Sequence, residues 1–585
     1  MKVFGNRTGE IVAWSGLAAL LVCGASAAHA TETTEETSAV ILHRSVAPTG
    51  GDALQVALLE SGGSEEIGGH YAASGFEKIW FLPGGDDAPA RALLDAVREA
   101  PRHGLPAGRY DAALLEAALE AGGSGDGAAR AVAELTFTKV YLRYARDLSS
   151  GLLEPRSVDR ELHVQPPRPE ERALLAAAAS ASSMAAHLAG LAPQGHDYQR
   201  LLGELSRLTS LAPGAWGDAV AEGPSIRIGD VSDRVAAMRA RLIAKGDHAP
   251  EPVAETLVQT GAVQPAAVQN AALRVEDALD SRRYDLALEA SVRAFQRRHG
   301  LNDDGVAGRR TVAALNASVE ERIGQVLVSL ERLRWMNKDL GHRHVHVNLA
   351  DFTVKLMEGD AVAFEERVVV GKARKHRTPE FSDTMTYMVF NPIWHVPYSI
   401  ASEEILPKLQ EDPEYLLKKN MRLLTRDGAL GPDATLHDWS LYSENDFPYL
   451  IKQGSGGGNA LGRVKFMFPN QFAIYLHDTP SKRLFKKDAR AFSHGCVRVQ
   501  DPMAFARALL APQTEDPAAF VDRQLARRGE RRINLSDPVP VHLTYLTAWV
   551  DDEGTWQFRD DVYGRDGRIL AALKAEGVAA PEVGG

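Results

Sequence analysis

From about residue 51 to 222 the apolar positions recur at helical spacing, as in ARALLDAVREA and AELTFTKVYLRYARDL, with turns such as HGLPAGRY between the runs. That period predicts a helical scaffold domain. Residues 226–316 form a second helical unit with an interruption: RIGDVSDRVAAMRARL predicts one amphipathic helix, and HAPEPVAETLVQTGAVQPAAVQNA reads as an Ala/Pro-rich insert near 248–270. Leu288, Val292 and Phe295 then return to helical spacing, and NDDGVAG makes a tight turn before a short helix carrying Val312 and Leu315. Ser318 and Glu321 are spaced as a capping box, opening a connecting helix over 318–340 with Ile323, Val326, Leu327, Leu330 and Leu333 on one face.

Near residue 344 the period shortens to two. Val345, Val347 and Leu349 alternate; after a phase slip at Asp351 so do Phe352, Val354 and Leu356, with EGD as a hairpin turn and ERVVVG as the returning strand. A β-rich domain is expected over 344–535. Its alternation lapses near 400–460, which ends in GSGGGNALG before strands resume at RVKFMF, as for a subdomain inserted into a sheet with glycines able to act as a hinge. Residues 536–585 read as a C-terminal β-hairpin around an Asp-Glu-Gly turn, followed by a tail. The fold class is α+β, multidomain.

Composition narrows the function little. At 585 residues the chain is too long for one core, and 45% hydrophobic with 24% charged residues is ordinary for a globular protein. A net charge of -11 argues against a nucleic-acid binder. The N-terminus changes the picture more: Lys2 and Arg7 precede the apolar stretch IVAWSGLAALLVCGASA and then Ala28-His29-Ala30, the pattern of a signal peptide over 1–30. This pattern implies an exported, periplasmic protein, with 31–50 as a flexible polar leader and with wall or membrane association left open, since Cys23 has a rival reading as a lipidation site.

Removal of Cys23 with the signal leaves Cys496 alone. An unpaired cysteine outside the cytoplasm is either an inert buried thiol or a reactive one. Its neighbours favour reactivity. Alternation in AIYLHD places Tyr475 and His477 on one face and Ile474 and Leu476 on the other. FSHGCVRV comes next, and Asp501-Pro502 suit the cap and first position of a helix, so Cys496 sits on a short extended piece just before it. An imidazole within reach can ionise the thiol and return the proton to a leaving amine, and Gly495 lets the amides of His494, Gly495 and Cys496 converge on an oxyanion.

His477, the intervening loop and SHGCVR resemble the signature of the L,D-transpeptidases, cysteine enzymes of the YkuD-type β-fold that cross-link peptidoglycan. VVVGKARKHRTPEFSD, VFNPIWHVPYSI, LGRVKFMFPN and IYLHDTPSKRLF are similar to the large YcbB-like subgroup, and VRAFQRRHGLNDDGVAGRRTVAALN resembles a peptidoglycan-binding module. The resemblance implies Cys496 as nucleophile, His477 as general acid/base, no metal or other cofactor, and a lid at the 400–460 insert. It implies stem peptides as partners, a donor tetrapeptide and an acceptor amine, with carbapenem-type inhibitors expected. Ser493 and His494 are expected to shape the loop; Arg498 either binds a substrate carboxylate or pairs within the fold; Tyr475 and Trp394 either line the donor cleft or pack in the core. Rival functions are an L,D-carboxypeptidase or other cysteine hydrolase, and a non-catalytic wall-binding protein. Oligomeric state is not legible. His342, His344 and His346 alternate but read as a solvated strand start, KRLFKKDAR as a wet loop, and GSGGGNALG lacks the ending of a phosphate loop.

Overall fold

The computed structural model describes residues 53–61, 64–124, 126–248, 281–551 and 553–579, so the expected signal segment, the leader and the insert near 248–270 (but for residue 248) lie outside the described residues. The scaffold is helical, built around the long buried helix Gly127–Ser150. Its core does not stop at residue 222: Ile323, Val326, Leu327 and Leu330 of the helix Val319–Trp335 belong to it. The capping box at Ser318 and Glu321 forms as expected, but the helix it starts is buried in the scaffold core and is more than a connector. Its apolar stripe is wide enough to be covered on several sides, which a one-face reading underestimates.

The module between them has its own small core, in which Leu288, Val292, Phe295, Val312 and Leu315 meet Val235, Met238 and Leu242 of the helix Asp233–Ala244. Gln296 is its polar hub. Its amide nitrogen donates to Val306 O at 3.0 Å and Thr311 Oγ1 at 3.2 Å, while its oxygen accepts from Gly305 N at 2.9 Å. The FQ, DG and T positions thus satisfy one another, as buried polar groups must.

The strands of the β-rich domain's main sheet are β1 (Arg343–Asn348), β2 (Thr353–Glu358), β3 (Ala361–Gly371), β4 (Phe381–Phe390), β8 (Val464–Met467), β9 (Leu476–His477), β10 (Ala491–Ser493), β11 (Val497–Val499) and β12 (Arg531–Thr544). They lie in the order β10-β3-β11-β9-β8-β4-β12-β1-β2, and β2 pairs back onto β3, closing the sheet on itself. Val345, Val347, Val354, Leu356, Phe466, Leu476, Val497 and Val499 fill the interior. The phase slip works through Phe352, whose φ of 59 lies in the left-handed region. His344 and His346 bond to Gly341 O and Thr544 Oγ1, at 2.7 Å each.

Between β4 and β8 the chain leaves the sheet. β5 (Trp394–His395), β6 (Met421–Leu424) and β7 (Leu450–Gln453) form a separate three-stranded sheet with its own core of Val396, Ile405, Leu409, Trp439, Phe447 and Ile451. Its neck is pinned: Asn459 donates to Pro392 O at 3.2 Å and Gly454 O at 2.9 Å.

The expected boundary at 535/536 falls inside β12, which runs to Thr544 between β4 and β1. Pro538 lies within the register shift between Asn534 and Val539, the place where a central strand tolerates a residue without an N–H. β13 (Ala548–Val550) and β14 (Trp556–Phe558) form the expected hairpin. Beyond it the expected tail is instead the helix Arg565–Ala575, whose Ile569 and Leu573 return to the scaffold core.

Buried charge joins these units. Arg332 of the scaffold helix pairs with Glu380, at the start of β4, and with Asp566 at 3.2 Å. Arg565 pairs with the same Glu380 at 3.0 Å and donates to Thr378 O at 2.9 Å. Removal of one member of such a cluster strands the others without solvent. Glu380→Ala is therefore expected to lower the stability of the β-rich domain by about 3–5 kcal/mol, read as an earlier guanidinium midpoint.

Candidate active site

β9 and β11 run parallel, with Val497 opposite Leu476 and Arg498 opposite His477. Because Leu476 and Val497 point into the core, Tyr475, His477, Cys496 and Arg498 share the other face. Lys465 of β8 pairs with His477 and joins them. Its ammonium lies 5.9 Å from the centre of the Tyr475 ring, and that ring lies 5.6 Å from the His477 ring. The cysteine and the histidine, nineteen positions apart in sequence, thus face one space.

The His477 tautomer is settled by its neighbour. Nδ1 lies 2.5 Å from Asp478 O, and a carbonyl only accepts, so Nδ1 carries the proton and Nε2 holds the lone pair. Burial and the adjacent Arg498 guanidinium hold His477 down at about 3, against a small upward pull from that carbonyl. Burial pushes the Cys496 thiol up to about 11, opposed by the Tyr475 hydroxyl and Arg498. At rest the thiol and the imidazole are both neutral, and Cys496 Sγ lies 3.7 Å from Ala473 O.

The nucleophile loop is tightly held. Ser493 Oγ donates to Cys496 O at 2.5 Å and accepts from Gly495 N at 3.1 Å. Thr378 Oγ1 donates to Gly495 O at 2.7 Å and accepts from Gly371 N at 3.0 Å. Gly495 has a φ of +113, and a Cβ there would stand 3.0 Å from Ile474 Cδ1, so glycine is required on both counts. One expectation is corrected here: the Gly495 amide is taken by Ser493, because the turn that exposes the thiol folds that N–H back on the hydroxyl. It is not aimed at an oxyanion.

The inserted subdomain touches this loop. Glu404, in the π-helical turn Ala401–Ile405, accepts from His494 Nε2 at 2.6 Å, and Lys372 Nζ approaches the same oxygen at 3.4 Å. The His376 ring lies 4.6 Å from that of His494. Trp394 is not gathered here; it packs against the core of the inserted subdomain. Among the described residues the Arg498 guanidinium makes no hydrogen bond or ion pair, and its Nε is buried. Sequence reasoning missed Lys465, Lys372, Glu404 and Thr378. Alternation in RVKFMF is a signal that could have placed Lys465 opposite the core; no local pattern marks the other three.

Comparison with known proteins agrees with this geometry. Residues 342–540 match the family described as L,D-transpeptidase catalytic domain, residues 65–205 the scaffold domain, and residues 275–315 the "Putative peptidoglycan binding domain". The β-rich domain is therefore an L,D-transpeptidase catalytic domain by its family match. A Haemophilus influenzae protein named "Putative L,D-transpeptidase" is 35% identical over 271 residues, which is 45% of this chain and 53% of that protein. The chain thus spans about half the length of the curated relative it matches. A solved L,D-transpeptidase from Xylanimonas cellulosilytica is 12% identical and covers 55% of this chain and 98% of its own, with a TM-score of 0.15 that carries no weight for the fold.

A neutral resting pair has a kinetic signature. Alkylation of Cys496 by iodoacetamide, followed by mass spectrometry of its peptide, is expected to accelerate about tenfold per pH unit between roughly pH 6 and 9. A plateau below pH 7 would mean a thiolate–imidazolium pair formed in advance.

Proposed function

We propose that the protein is an exported peptidoglycan L,D-transpeptidase of the YcbB-like architecture, acting in the periplasm at the cell wall. The observation that supports this most is the placing of His477 on β9 and of Cys496 in the bend just before the parallel strand β11, within a domain matched to that catalytic family. Cys496 Sγ attacks the carbonyl on the L-centre of the third stem residue while its proton passes to His477 Nε2. The amide C–N bond breaks, His477 returns the proton to the departing nitrogen, and terminal D-alanine leaves. A second stem's side-chain amine then resolves the thioester.

Arg498 and Lys465 give the donor side of the cleft a positive wall. An arginine left unpaired at a half-buried position suits a substrate carboxylate better than an internal salt bridge. The inserted subdomain acts as a lid, and by excluding water it favours the amine over hydrolysis. Among the described residues no helix is long and apolar enough to cross a membrane.

Incubation with purified tetrapeptide-bearing muropeptides tests the reading. Cross-linked dimers are the expected product; tripeptides alone would assign an L,D-carboxypeptidase, and no adduct on Cys496 after exposure to a carbapenem would favour a wall-binding protein. Cys496→Ala is expected to abolish turnover with the fold intact, checked by product analysis beside circular dichroism. Arg498→Met is expected to raise the donor KM by about tenfold or more while the thiol stays alkylatable.

A further inference from the structure

The junction between inserted subdomain and nucleophile loop has a chemistry the donor half-reaction does not use. It places a carboxylate, Glu404, and an imidazole, His494, two residues from the nucleophile, and a primary ammonium already rests against both. Lys372 Nζ is 3.4 Å from Glu404 Oε1 and 3.5 Å from His494 Nε2. Burial pushes the Glu404 carboxyl up, but His494 and Lys372 together hold it below its ordinary value, so it is anionic. Glu404 meets the nucleophile loop at His494, two residues before Cys496.

From this geometry we infer that Glu404 is the residue that recognises the acceptor, docking its primary ammonium beside the thioester. The inference rests on the transpeptidase reading and concerns only its second half. A carboxylate accepts only, so His494 Nε2–H donates to Glu404. One proton of the docked ammonium passes to water, and the free amine adds to the thioester carbonyl. The C–S bond breaks as the C–N bond is completed, and the nitrogen's second surplus proton goes to the departing sulfur through His477. Products are an amide, a thiol and a hydronium ion.

Because Glu404 sits on the inserted subdomain and His494 on the catalytic loop, the ammonium site is complete only while the two are in contact. Acceptor selection is thereby tied to closure.

The test uses the full chain with a tetrapeptide muropeptide as donor and a stem bearing a free side-chain amine as acceptor, and compares Glu404→Gln and Glu404→Asp with the unaltered protein. The Cys496 adduct and D-alanine release report the first half-reaction; dimer against tripeptide reports the second. Glu404→Gln is expected to lose dimer about tenfold or more beyond any loss of acylation, with acceptor KM raised and tripeptide replacing dimer. Glu404→Asp is expected to recover part of the dimer. Unchanged dimer formation in Glu404→Gln, or an equal loss of acylation and dimer, overturns the assignment, the latter showing a residue that only positions the loop. If the unaltered protein forms no adduct at all, the transpeptidase reading fails first, and the acceptor site with it.

Discussion

The structure depends on one buried line of charge. Arg332, Glu380 and Arg565 lie in the interior, and the line continues through Thr378 to the carbonyl of Gly495, one peptide from the nucleophile. Three regions distant in sequence meet there: the scaffold helix, the start of β4 and the C-terminal helix. Two guanidinium groups without solvent need a carboxylate between them, and Glu380 has only one placement that serves both. The nucleophile loop inherits its position from that requirement, which explains why a catalytic domain should be wrapped by a helical scaffold built from both ends of the described chain.

A second constraint is dielectric. The thiol and imidazole are buried enough to be neutral at rest, although they sit on the face that a substrate must reach. A thiolate is the form that oxidants attack, so a neutral thiol is less exposed to that loss. The cations nearby, Arg498 and Lys465, lower the cost of the developing charge without creating it in advance. The clasp between Glu404 and His494 adds a moving element to a loop otherwise fixed by Ser493 and Thr378.

Much of this was legible from local pattern. The capping box at Ser318, the alternation from Val345 to Leu356, and the facing of Tyr475 and His477 follow from neighbours within a few positions, where the periods 3.6 and 2 rule. The β12 boundary was misread because Pro538 looks like a breaker until a bulge accommodates it. The terminal helix was missed because its apolar residues are few and gain their burial from a scaffold hundreds of residues upstream.

By itself, then, the sequence determined the alternation of helical and β-rich units and the facing of Tyr475 and His477, since each is written in a short pattern whose spacing has one physical reading. Only the tertiary structure decided that Gly495's amide turns inward, that Trp394 belongs to the inserted subdomain, and that Glu404 and Lys372 meet His494 while the Arg498 guanidinium stays unpaired among the described residues. Those placements come from long-range packing and from satisfying charges across closed sheet and lid. A linear pattern carries no record of which distant partner a buried group will find.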